Sequence, residues 1–203
     1  MLDHSAIPSI TWKMADDVPV WRTITLGTYR SVNTLLEALS SDNCGSAPQV
    51  AEAAALIRTS AMARPAPHCH LGDGAGEIIG RPAFHLSRTR QELDLVAVSL
   101  IELGFPADED VALEDIHARA DMLGYALCPT EAGPQLRLQY LDQPVGEFLH
   151  IGMQPIATYG GELIDLTVGN GGTGLLLLGG DGRSNITFPT TTRFVFMRPR
   201  PRP

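Results

Sequence analysis

The spacing of apolar and polar positions changes character once along this chain, near Cys128. Before it the helical period dominates. A strand-forming run at 21–26 leads to Ser31, an N-cap residue ahead of Val32, Leu35, Leu36 and Leu39, which share one helix face. An Ala-rich helix is expected at 50–63, introduced by the capping-box pair Ser46 and Gln49 and ended by Pro65 and Pro67. The following Pro- and Gly-rich stretch reads as an exposed loop with a short helical turn at 77–79. Thr89 and Glu92 again have capping-box spacing, and the residues up to Leu103 are apolar on almost every side, which predicts a helix at the centre of the core. A further helix places Leu113, Ile116, Ala120 and Leu123 on one stripe. Both end in glycine followed by an aromatic residue, Gly104-Phe105 and Gly124-Tyr125; this Schellman pattern predicts that the two form an αα-hairpin.

After Cys128 the period becomes two. Leu136, Leu138 and Tyr140 alternate with Gln135, Arg137 and Gln139, and a turn at 142–144 leads into a strand through Phe148 and Ile151. Glycine-rich turns at 160–161, 169–172 and 179–185 separate three further strands. The expected fold class is α+β: N-terminal helices, including the αα-hairpin, packed on a C-terminal antiparallel β-meander of about five strands. One domain would span 1–198, leaving 199–203 as a Pro/Arg tail.

Composition narrows the class further. With 203 residues, 44% hydrophobic and 19% charged, the chain is neither disordered nor fibrous, and it has no apolar run of membrane-spanning length. Cys44, Cys69 and Cys128 are odd in number and far apart, which fits reduced thiols; with no apolar signal core in the first twenty residues, the expected location is cytoplasmic. Residues 91–131 hold ten acids and one arginine, a charge that disfavours nucleic acid as a partner. Residues 182–203 hold five arginines and no acid, ending in an extended tail read as solvated.

Candidate chemistry is sparse. Gly169, Gly171 and Gly174 have dinucleotide-fingerprint spacing but no following helix, so they read as a hairpin, and no cofactor is expected. His68, Cys69 and His70 are the densest group of metal-ligand types, with Glu77 or His85 as possible completions, yet two further ligands would be required and no metal site is expected. Cys128 with His117 or His150 could pair a thiol with a base, although a buried structural cysteine is the commoner arrangement. The richest polar stretch holds Glu131, Arg137, Tyr140, Asp142, Gln143, Glu147 and His150 within twenty residues. A hairpin there would pair Arg137 with Glu147.

The segments E-L-G-F (102–105), L-G-x-x-L-C-P-x-E-x-G-P-x-L-R-L-x-Y-x-D-Q-P-x-G-E (123–147) and R-F-V-F (193–196), together with LGTYRSVNTLLEAL and GRPAFHLSRTRQELDL, resemble a group of bacterial hypothetical proteins of unassigned function. The resemblance spans most of the chain and implies no activity. Similar sequences pass from the first helix almost directly into a G-D-x-A-x-x-I-L-G-like segment, so residues 45–70 read as an insertion that the fold could lose.

The leading expectation is a binding or accessory protein that presents the surface 129–151 to a protein or a small polar ligand. The competing one is a small hydrolase or transferase using Glu131 or Glu147 as acid/base, with Arg137 steering an anionic substrate. A helix-turn-helix use of the αα-hairpin is opposed by the acids Glu114, Asp115 and Asp121.

Overall fold

In the computed structural model, which describes residues 13–40, 69–172 and 174–198, strands rather than helices organise the chain. In order these are β1 (Arg22–Leu26), α1 (Val32–Leu39), β2 (Cys69–Leu71), α2 (Asp73–Ile79), β3 (Gln91–Ser99), β4 (Asp110–Ala112) and α3 (Leu113–Met122). Then come α4 (Ala132–Gln139), β5 (Phe148–Ile151), β6 (Ile156–Ala157), β7 (Leu163–Asn170), β8 (Leu175–Asp181), β9 (Thr187–Pro189) and β10 (Arg193–Met197). One mixed sheet runs in the order β1-β3-β10-β5-β7-β8-β2, with β6 continuing the β5 edge of β7, while β4 and β9 form a separate pair. The β10–β5 and β2–β8 pairs are parallel and the other pairs antiparallel.

This overturns the α+β expectation of helices packed on a five-stranded meander. The sheet is a curled half-barrel that recruits β1, β2 and β3 from the N-terminal part, and among the described residues the helices are four and short. The largest error is the helix expected up to Leu103, which is strand β3. Strand β3 lies between β1 and β10, with Leu93 and Leu95 buried on one face and Val96 and Val98 on the other. A strand buried on both faces reads as a continuous apolar run, as a buried helix does, so periodicity cannot separate them. The αα-hairpin therefore does not form, and with it goes the helix-turn-helix read on it. The Schellman geometry itself is present at both glycines: Gly104 and Gly124 have φ of +89° and +84°, and Tyr125 N–H reaches Ala120 O at 2.9 Å.

Several expectations hold locally. Ser31 caps α1 by accepting the Thr34 N–H, Leu35 and Leu39 are its buried residues, and β7, β8 and β10 fall where the glycine-rich turns indicated them. Cys69 and His70, assigned to the insertion by sequence, open strand β2 beside β8. The helix expected at 50–63, His68 and the tail 199–203 lie outside the described residues.

The curl follows from α4. This helix touches β1 at one end of the sheet and β7 and β8 near the other. Flat, β1 and β8 would stand roughly 24 Å apart at about 4.8 Å per strand, at least twice a helix diameter, so the sheet must wrap around α4. Helices α1, α2 and α4 fill the enclosed face against Ile24, Leu95, Leu149, Leu166 and Leu177. The other face is covered at β3 and β10 by α3, through Leu113, Ile116 and Ala120 against Val96, Val98, Phe194 and Phe196.

Candidate functional site

Helix α4 is buried from Ala132 to Leu138, although its sequence, AGPQLRLQ, is barely amphipathic. A helix enclosed by a sheet has no solvent face, and its polar side chains must find partners inside. Glu131, Gln135 and Gln139, spaced i, i+4 and i+8, do so along the outer edge of β1. Gln139 accepts the Thr25 N–H and donates to the Thr25 carbonyl, both at 2.9 Å, as a neighbouring strand would. Gln135 brackets the Thr28 hydroxyl with its two amide atoms at 3.0 and 2.7 Å. Glu131 accepts Gly27 N–H at 2.9 Å and Gln135 Nε2 at 2.8 Å on one oxygen, and Ser87 N–H at 2.7 Å on the other. This ladder protects the sheet edge and ties down the two loops that continue from it.

Those loops form a cleft. Leu26 opposite Gln91 is the last rung of the β1–β3 pair, and beyond it the chain leaving β1 (27–30) faces the chain approaching β3 (84–90). Gly27 has φ +69°, and a Cβ there would overlap the Thr89 carbonyl, so the two backbones touch at a point only glycine permits. Thr130 adds a clamp, accepting the His85 N–H at 3.0 Å and donating to the His85 carbonyl at 3.3 Å. The cleft holds about 530 Å³, and Arg30, Arg88 and Arg90 line it with Tyr29, Leu86 and Ser87. Its lining contains no acid, and no ion pair among the described residues engages the three arginines. Burial raises the Tyr29 phenol above its ordinary value, so it remains a hydroxyl donor at neutral pH.

The residues singled out from sequence are distributed differently. Glu131 and Arg137 are both fully buried, at 0% exposure. Because 135–140 belongs to α4 and its C-cap rather than a strand, Arg137 does not pair with Glu147. It donates to the carbonyls of Gly169 and Tyr140 and to Gln143 Oε1, with no carboxylate beside it, and desolvation pushes its guanidinium down to about 10. Gln143, also buried, donates to the Glu147 and Val168 carbonyls, each at 3.2 Å. Glu147 accepts Tyr140 Oη at 2.8 Å and pairs with Arg193 at 3.0 Å, while Asp142 pairs with Arg22 at 3.1 Å. Arg137, Tyr140, Gln143 and Glu147 thus share one network that seats the 140–147 loop on β7; Glu131 serves the other end of α4. His150 lies on the opposite face of the sheet, its ring packed on Phe188 and Phe194 and its Nδ1 3.1 Å from Thr167 Oγ1. Desolvation pushes it down to about 4.

The remaining sequence candidates carry less. Cys128 is buried, its thiol pushed up to about 12 by desolvation, and donates to the Val195 carbonyl, so it is no nucleophile. Cys69 is disulfide-bonded and offers no thiolate to a metal, which also departs from the expectation of three reduced thiols. Among the described residues no group of three His, Cys, Asp or Glu side chains is placed to hold a metal ion, and no helix is long and apolar enough to cross a membrane. Gly169, Gly171 and Gly174 lie at the β7–β8 hairpin.

Sequence reasoning passed over Arg30, Arg88 and Arg90. Each lies in a segment of the resemblance, LGTYRSVNTLLEAL or GRPAFHLSRTRQELDL, but some sixty residues separate the two segments. Only the β1–β3 register makes them two walls of one cleft. Comparisons of the chain with protein-family models, with curated proteins and with solved structures found no match.

Proposed function

We propose that this protein is a binding protein for a small anionic ligand, held in the cleft between residues 27–30 and 84–90. One observation carries the reading: three arginines and no acid line a single cleft on a chain whose formal charge is -8. Their guanidiniums outnumber the one carboxylate beneath them, and Glu131 already accepts hydrogen bonds from Gly27, Ser87 and Gln135. Arginine forks suit carboxylate and phosphate oxygens, and a cleft of this volume suits a small molecule. The walls are held in place before any ligand arrives, which lowers the ordering cost of binding.

The reading keeps the expectation of a binding protein with a small polar ligand and moves the contact surface from 129–151 to the arginine cleft. The hydrolase or transferase alternative needs Glu131, Glu147 and Arg137 at one reacting centre; the partners of Glu131 are separate from those of the other two, and both Glu131 and Arg137 are closed to solvent. Location in the cytoplasm remains part of the proposal, weakened by the disulfide at Cys69, since cytosolic proteins seldom keep one.

Thermal unfolding in phosphate or citrate, against chloride at equal ionic strength, tests the reading. A ligand that binds only the folded state raises the midpoint with concentration. The wild type should respond and an Arg88→Ala/Arg90→Ala variant should not. Equal responses in both proteins would remove the cleft from consideration.

A further inference from the structure

Resting on that reading, we infer that the cleft takes a small phosphomonoester, with its phosphoryl group among Arg30, Arg88 and Arg90 and its organic part along Leu86 and Tyr29. The first argument is charge. A monocarboxylate brings one negative charge and two oxygens, enough for a single bidentate arginine, and would leave the other guanidiniums without a counter-charge. A phosphomonoester brings close to two charges at neutral pH and three terminal acceptor oxygens, one for each guanidinium.

The second argument is size and lining. The cleft, at about 530 Å³, is far larger than a phosphoryl group and falls within the range of small-molecule sites. The volume left over is bordered by the half-buried Leu86 and by Tyr29, with the hydroxyls of Tyr29 and Ser87 at hand. Such walls suit a compact organic moiety carrying hydroxyl groups. The Ser87 hydroxyl already accepts from Gln91 Nε2 at 3.3 Å and keeps its own proton free to donate.

Isothermal titration of the full chain with glucose 6-phosphate, glucuronate, glucose and inorganic phosphate separates the possibilities. Glucose 6-phosphate should bind at least tenfold more tightly than glucuronate, more tightly than inorganic phosphate, and glucose should give no signal. Its affinity should fall several-fold between pH 7.5 and pH 5, as the phosphoryl group takes up a proton near pH 6. Arg90→Lys keeps the charge but loses the fork, and should cost tenfold or more. Equal or tighter binding of glucuronate would overturn the phosphomonoester assignment while leaving the anion-binding reading intact. Tighter binding of a phosphoserine pentapeptide than of glucose 6-phosphate would overturn the small-molecule assignment. If no anion binds, the proposed function itself falls.

Discussion

The carboxylate of Glu131 and the backbone of Ser87, forty-four residues apart, meet at 2.7 Å inside the protein, and the other oxygen of the same carboxylate holds Gly27. One fully buried acid therefore joins both walls of the arginine cleft to the helix inside the half-barrel. Sequence reading offered Glu131 as an acid/base or ligand contact. Its geometry is that of a tie: each oxygen accepts a backbone N–H, and the side chain is closed to solvent.

Replacing Glu131 by Gln turns an acceptor pair into one acceptor and one donor, and the new amide must face either Gly27 or Ser87 with N–H against N–H. Bonds to a charged acceptor are worth roughly 1.5–3 kcal/mol, and a buried unpaired donor costs a similar amount. Glu131→Gln should lose about 3 kcal/mol in urea denaturation, and anion affinity in the cleft should fall with it.

Gly27→Ala probes the contact between the walls. Both Gly27 and Gly146 have positive φ, +69° and +86°, but a Cβ at Gly146 meets nothing within 4 Å, whereas one at Gly27 overlaps the Thr89 carbonyl. Gly146→Ala should cost only the backbone strain, about 1 kcal/mol, and Gly27→Ala clearly more. Denaturation midpoints of the two variants measured side by side isolate the contact.

Arg137→Ala should destabilise the fold strongly. It opens a cavity in α4 and strands the carbonyls of Gly169 and Tyr140 together with Gln143 Oε1. A loss of roughly 3–5 kcal/mol is expected. Arg137→Met fills most of the volume and removes a charge with no carboxylate partner, so it should fall between alanine and wild type. If urea midpoints place methionine below alanine, the cavity contributes less to the loss than this account requires.

Asp165 gives a pH dependence of definite sign. It is 2% exposed, neither carboxylate oxygen has a hydrogen-bond partner among the described residues, and desolvation together with Asp181 pushes it from 3.8 up to about 7. The folded state thus holds a proton that the unfolded chain has released, and the stability this contributes, full below about pH 4, is lost as pH rises toward 7. At about 1.4 kcal/mol per pH unit the change amounts to at most roughly 4 kcal/mol. The midpoint of Asp165→Asn should rise relative to wild type between pH 4 and pH 7 and run parallel to it above pH 8.

His150 works in the opposite direction. Burial lowers it from 6.5 to about 4, so its contribution is present above about pH 6.5 and is lost as pH falls toward 4. In the wild type the two slopes oppose each other between those limits. His150→Phe should therefore expose the decline due to Asp165, with stability falling from pH 4.5 to pH 6.5 where the wild type stays nearly level in thermal unfolding.

Much of the local structure was legible. Ser31, Gly104 and Gly124 act through short-range sterics and hydrogen bonds, so their roles as cap and turn residues survive even where the adjoining element was misassigned. The strands at 163–170, 175–181 and 193–197 were legible because glycine turns bound them. Two segments were misread for one reason. Strand 91–99 buries apolar side chains on both faces, Leu93 and Leu95 on one and Val96 and Val98 on the other, and 132–138 is buried all round, so no continuous solvent face imposes period two on the first or period 3.6 on the second.

What the sequence determined by itself was where the chain turns, which runs are apolar, and that its acids outnumber its bases, because these follow from neighbouring residues and from composition. Tertiary structure alone decided that 91–99 is a strand and 132–139 a helix, since that choice depends on β1 and β10 bonding both edges of the former and on a sheet curling around the latter. It alone turned Glu131 and Arg137 from surface candidates into internal ties. It alone joined Arg30 to Arg88 and Arg90, because a strand register, which no local pattern encodes, brings residues some sixty positions apart to the two sides of one cleft.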